Sequence, residues 1–320
     1  MNKIWVSLFE GMLIWLTALF ILSILSAVLY RLFRGINGRY VAECRSLALL
    51  IYSLMTPLTA TLLLVLSLNP GWAEHLVGSH CHATDCFAHR PQIQLSSWTG
   101  ISMLLIACIV LTSFGYLLQR QWVRSVQRLR ALQALSLEGK IGGYRVLNTP
   151  ALLAWCTGFF RSRIYLSAGL LAVLDSEQLK AVLAHERAHA RRLDNLRRWI
   201  AYLSTAAWPG PAKKIFWQDF FAATEEACDR SAALEVRSDF PVIAALARFA
   251  SASPAGTPTP SAHDPAMRIY ALQSPPGISG FPVFVCMAII ALTFSHILVL
   301  TSLVHHLLEH STDPMLNLLS

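Results

Sequence analysis

Four long apolar stretches divide the chain, separated by polar segments of unequal character. Residues 4–29 run almost without interruption through aliphatic and aromatic residues, with Glu10 the one charge. At an α-helical rise of about 1.5 Å per residue, such a run is long enough to cross a bilayer. It is too long for the apolar part of a secretory signal and has only Lys3 ahead of it, so it predicts a transmembrane helix and not a cleaved leader. Residues 47–68, 98–118 and 281–304 predict three more spans. Pro57 lies inside the second, where a kink is tolerated, and Trp98 marks the edge of the third. Apolar residues then recur at helical spacing, predicting a helix over 119–136 that continues out of the membrane.

Charge gives these spans a direction. Arg31, Arg34, Arg39 and Arg45 follow the first, and Arg120, Arg124, Arg128, Arg130 and Lys140 follow the third, whereas the tail 305–320 has no Lys or Arg. Basic residues collect on the cytoplasmic side, so the pattern predicts both termini outside and the polar domain inside. Residues 1–118 then form three spans with an extracytoplasmic loop at 69–97, residues 119–275 a cytoplasmic domain, and residues 281–304 a fourth span before a short outer tail. With 55% hydrophobic and 14% charged residues the chain is too apolar for a soluble protein. The net charge of +8 fits the inner loops, and no basic run interleaved with aromatics points to direct nucleic-acid binding.

The outer loop holds His80-Cys81-His82 and Cys86-x-x-His89. The spacing fits no standard zinc module, so a disulfide between Cys81 and Cys86 is the preferred reading over a metal cluster. In the polar domain, 144–148 and 163–167 read as strands around Ala154–Gly158, a strand–turn–strand that serves either as an edge for an extended peptide or as a structural hairpin. Residues 176–195 read as a helix with Ser176 as N-cap and an apolar stripe at Leu179, Val182 and Leu183. It contains His185-Glu186-x-x-His189. Histidines at i and i+4 share one helix face and can reach one zinc ion, with Glu186 beside them to take a proton from the attacking water. The alternative is an amphipathic helix with two surface histidines. Residues 196–208 read as a continuation of this helix up to Pro209 and Pro211.

A zinc site of this kind needs a third protein ligand. Glu225 and Asp229 stand at i and i+4 in 214–236, so Glu225 can bind the metal while Asp229 accepts the free N–H of a zinc-bound histidine. Asp194 is a further candidate for that supporting role. The same acids would equally serve a solvated face. Residues 251–262 are rich in Pro, Ser and Thr and read as a linker, after which His263-Asp264-Pro265-Ala266-Met267-Arg268-Ile269 opens a short helix.

Taken in order, Arg163-Ile164-Tyr165-Leu166-Ser167, then His185-Glu186-Arg187-Ala188-His189 with Asp194 and Asn195, then Glu225-x-Ala227-Cys228-Asp229 resemble the membrane metallopeptidase domain of the BlaR/MecR sensor-transducer family. The resemblance covers residues 98–275 best; more distantly the later elements resemble the HtpX and CAAX-prenyl endopeptidases. It implies an α-helical multi-pass membrane protein with an inserted α+β gluzincin-type zinc metallopeptidase domain in a bacterial cytoplasmic membrane. It implies one zinc ion per chain on His185, His189 and Glu225, Glu186 as general base, Asp229 as a supporting acid, and His263 at the oxyanion; Arg268, on the same short helix segment, is a further candidate for that oxyanion role. Family members with a full sensor carry a penicillin-binding domain after the last span. This chain runs about a dozen residues past it without a Ser-x-x-Lys motif, so sensing would fall to a separate sensor protein. The implied activity is regulatory cleavage of a protein substrate, a transcriptional repressor or the chain itself. The competing reading is a signalling or scaffold protein whose zinc module no longer cleaves.

Overall fold

The computed structural model describes residues 3–69, 81–82, 85–86, 98–138, 143–252 and 264–280. The predicted fourth span, the tail, His263 and most of the 251–262 linker lie outside the described residues. So does most of the 69–97 loop.

Two long helices, α1 (Lys3–Asn37) and α2 (Ala42–Leu68), form a hairpin. Both run past the apolar stretches that announced them, α1 through Gly35 to Asn37 and α2 from Ala42. They meet through Ala18 and Leu22 on one side and Ala60, Leu63 and Leu66 on the other. The two alanines are fully buried, and side chains this small let the helix backbones approach closely. A third helix, α3 (Trp98–Leu135), continues well beyond its apolar part, as expected. All three are long and apolar enough to cross a membrane, which marks the chain as a membrane protein. Between α2 and the third helix, β1 (Cys81–His82) and β2 (Asp85–Cys86) pair antiparallel with Cys81 opposite Cys86; their side chains lie outside the described residues.

The polar domain begins with a four-stranded sheet, ordered β3-β4-β6-β5. Its strands are β3 (Ser136–Glu138), β4 (Tyr144–Leu147), β5 (Ala154–Thr157) and β6 (Arg163–Ser167). Strands β4 and β6 are parallel, and β5 returns antiparallel to β6 at the sheet edge. This corrects the strand–turn–strand reading: the segment read as the turn is itself the edge strand. Gly158 ends β5 at φ +104, where a Cβ would stand 2.6 Å from the Arg161 carbonyl oxygen. A short helix α4 (Ala168–Val173) follows β6. The Ser167 hydroxyl caps it and also accepts from the Leu153 N–H at 3.0 Å, pinning the approach to β5.

The motif helix α5 (Ser176–Arg191) is capped by Asp175, whose side chain accepts from the N–H groups of Glu177 and Gln178 while Gln178 reaches back. The cap therefore sits one residue before the expected Ser176, since aspartate completes a reciprocal capping box. Nor does this helix continue through 196–208. Leu193 takes a left-handed conformation at φ 54, and a separate helix α6 (Asp194–Ser204) departs in a new direction. Helices α7 (Gly210–Val236), α8 (Phe240–Ala252) and α9 (Pro265–Gln273) complete the domain. Ser251 and Ala252, placed in the linker by composition, end α8. Leu166, Leu170, Val182, Leu183 and Ala245 join sheet to helices, and Ala184, Ala232, Val242, Leu246 and Leu272 join α5, α7, α8 and α9.

The domain is not hung on a tether. Tyr30 and Phe33 of α1, Leu49 and Tyr52 of α2, and Trp208, Phe216 and Phe220 share one core. Phe216 packs against Tyr30, Trp208 and Phe220 with ring centroids 5.5–5.8 Å apart. Around that core the Tyr30 hydroxyl donates to Asp219 at 2.8 Å, and Arg34 pairs with the same carboxylate at 2.6 Å. Arg45 pairs with Glu226 at 2.6 Å, and Arg192 donates to the Ser46 hydroxyl at 2.7 Å.

Candidate metal centre

Helical spacing places His185 and His189 on the same face of α5, turned toward α7. Glu225 meets them from α7. The two Nε2 atoms are 3.1 Å apart, His185 Nε2 is 3.5 Å from Glu225 Oε2, and His189 Nε2 is 3.6 Å from Glu225 Oε1. Each imidazole is held from behind. His185 Nδ1 donates to Asp229 at 2.8 Å, and His189 Nδ1 donates to Asp194 at 2.8 Å. With Nδ1–H committed to a carboxylate, each Nε2 presents a lone pair to the other and to Glu225. Three acceptors converging in a buried place need a cation between them. Ligands at about 2.0–2.1 Å around a tetrahedral ion such as zinc lie roughly 3.3 Å apart. The observed separations fit that spacing, so the three side chains can hold such a metal.

Electrostatics point the same way. Burial opposes the His185 imidazolium, but the charge and hydrogen bonds of Asp229 and Glu225 outweigh it and raise the group to about 10. Burial would raise Glu225 as well, yet hydrogen bonds from both histidines hold its carboxyl well below the usual range. This is a site that favours positive charge, whether a proton or a metal dication supplies it.

Glu186 behaves differently. It is buried beside the ligands and makes no hydrogen bond among the described residues. Burial lifts its carboxyl above the usual range, and the two histidines pull it only part of the way back. A carboxylate so placed is a ready proton acceptor. It lines a cavity of about 740 Å³ that runs past the three candidate ligands to β5 and α8.

The structure therefore brings together His185, Glu186, His189, Asp194, Glu225 and Asp229. Arg268, on α9, reaches the cluster too: its Nε and Nη2 donate to Asp229 at 2.8 and 2.6 Å, and its Nη1 is 3.3 Å from Glu225 Oε2. His263 lies outside the described residues. Glu226 turns away from the centre, to Arg45 and Arg230, as its 100° offset from Glu225 requires. Three neighbours went unassigned in the sequence. Asn195 donates from Nδ2 to the carbonyls of Cys156 and Gly158 at 3.0 and 3.1 Å, tying α6 to the end of β5. The buried Cys228 thiol lies 3.4 Å from Asp194, and burial pushes its pKa up, so it stays neutral. Arg198 donates to Glu225 at 3.1 Å. Its signal was the four-residue step from Asp194, hidden by reading 196–208 as an apolar extension.

A family model described as BlaR1 peptidase M56 matches residues 71–239, a stretch that takes in α3, the sheet, both histidines, Glu186 and the Glu225–Asp229 pair. Searches of curated proteins and of solved structures found no match. The M56 peptidases are metalloproteases, and the three converging donors are what such a protein requires. As the match spans more than half of the 320 residues, the chain belongs to the BlaR1 peptidase M56 family.

Proposed function

We propose that this protein is a zinc-dependent endopeptidase that cuts a protein substrate at the cytoplasmic face of a bacterial membrane, in the service of regulation. One observation carries the reading: His185, His189 and Glu225 converge at 3.1–3.6 Å beside a buried Glu186 that makes no hydrogen bond among the described residues. The basic ends of α1 and α2 support the cytoplasmic placement, since Arg34 and Arg45 pair directly with the domain.

A zinc ion held by these three side chains supplies Lewis acidity, which activates water near neutral pH and polarises a carbonyl. The chain supplies the rest. Asp229 and Asp194 fix both imidazoles in the tautomer that leaves Nε2 free. Arg268 clamps Asp229 and offsets the buried negative charge. The edge of β5 can pair with an extended substrate backbone, laying it along the cavity. The Glu186 carboxylate takes a proton from the attacking water and returns it to the departing amine nitrogen.

The test is cleavage of an unfolded protein by the purified full-length chain. Glu186→Ala should lower turnover by on the order of 10²–10⁴-fold while metal content is retained. Equal cleavage by the two proteins would refute the assignment.

A further inference from the structure

Two arginines line the cavity beside the candidate ligands, Arg198 and Arg268. Their circumstances differ. Arg268 spends Nε and Nη2 on Asp229 and keeps Nη1 against Glu225. Among the described residues Arg198 hydrogen-bonds Glu225 Oε1 alone, which Nη2 reaches at 3.1 Å. Its Nε is shut away from solvent, and its Nη1 makes no hydrogen bond among the described residues. A guanidinium N–H left uncommitted on a part-exposed side chain that lines the cavity is a donor a ligand can take up. The guanidinium carbon stacks 5.2 Å from the Phe221 ring centroid, which fixes the plane of the fork. Three residues earlier on the same helix, Asn195 bonds the Cys156 and Gly158 carbonyls, so α6 is fixed against the strand edge where substrate would lie. Arg198 is thus a forked donor held in one plane, with an uncommitted Nη1, lining the cavity that Glu186 also lines.

We propose that Arg198 is a catalytic residue, hydrogen-bonding the scissile carbonyl oxygen as that oxygen gains charge. The inference rests on the peptidase reading above. Water oxygen bonds to the carbonyl carbon, the carbonyl π pair moves onto oxygen, and the water proton goes to Glu186. Arg198 N–H groups hold the resulting oxyanion. The oxygen pair then re-forms the carbonyl, the C–N bond breaks with its electrons on nitrogen, and Glu186 returns the proton there. An N–H donor aimed at developing charge acts mainly in the transition state, so kcat should carry its effect.

The experiment uses the full-length protein in detergent, as wild type, Arg198→Ala and Arg198→Lys. It reads zinc affinity by chelator competition, kcat and KM on an unfolded protein, and the affinities of a phosphinic peptide (a tetrahedral mimic) and a planar peptide of the same sequence. Arg198→Ala should lose on the order of 10²–10³-fold in kcat and similarly in phosphinic-peptide affinity. Zinc affinity, KM and planar-peptide affinity should change by less than about threefold. Arg198→Lys should recover part of the loss, since it keeps the charge but not the fork. A fall in zinc affinity that tracks activity would overturn the proposal and make Arg198 a positioning residue for Glu225. Equal loss for both peptides would also overturn it. A wild type that cleaves alongside an equally active Arg198→Ala removes this proposal alone; a wild type without zinc removes it together with the peptidase reading.

Discussion

The α1–α2 hairpin and α3 look alike as strings of residues and do different things in the molecule. Their apolar windows have mean hydropathies of 2.5, 2.1 and 2.3, a spread too small to tell them apart. Half of the α2 window and 28% of the α1 window are buried inside the protein, against 6% for α3. The hairpin meets α7 and the start of α5's exit turn through an aromatic core and four polar ties, and those are the elements that carry the candidate ligands. Among the described residues, helix α3 touches α1 through Met103 and Ala107 and leaves Leu105, Ile106, Ile109 and Val110 exposed. It reaches the domain through β3, on the sheet edge opposite β5. The hairpin is part of the foundation of the metal centre, whereas α3 is a connector whose apolar surface is left uncovered by the described residues.

Stability measurements can sharpen or break that contrast. Phe216→Ala should be the most damaging, removing a fully buried ring from the hairpin–domain core at a cost of about 3–5 kcal/mol. It should show as a large drop in Tm of the full-length protein. Asp219→Ala should come next, at about 1–3 kcal/mol, because it strands the buried Tyr30 hydroxyl and leaves Arg34 unpaired. Arg45→Ala should cost no more than about 1 kcal/mol, since the pair is part-exposed and Glu226 keeps Arg230. Ile106→Ala on α3 should shift stability by no more than about 0.5 kcal/mol. An α3 substitution as costly as Asp219→Ala would mean that the two regions do not differ as described.

Much of the site was legible before any coordinates. The i, i+4 spacings of His185 with His189 and of Glu225 with Asp229 fix shared faces on any helix, and α5 and α7 deliver them. The helix break at Leu193 was not legible. Leu193 itself is not a turn residue, and tertiary packing holds this bulky side chain at a φ it rarely adopts, just before Asp194 and Asn195. That break is what swings Asp194 back onto His189 and Arg198 onto Glu225. The edge strand escaped for another reason. Ala154–Thr157 is half-buried at every position, so it shows no alternation, and its place follows from Trp155 stacking on Tyr165 across the ladder. The burial contrast between α2 and α3 was invisible for the reason already given: an apolar side chain serves equally well against protein or against lipid.

The central claim is that His185, His189 and Glu225 together hold a zinc ion. The most direct test is the metal content of the purified full-length protein, wild type beside Glu225→Ala. Stoichiometric zinc in the wild type, lost in Glu225→Ala while the fold persists by circular dichroism, is the predicted result. A wild type without zinc, or a Glu225→Ala protein that holds as much zinc as the wild type, would contradict it.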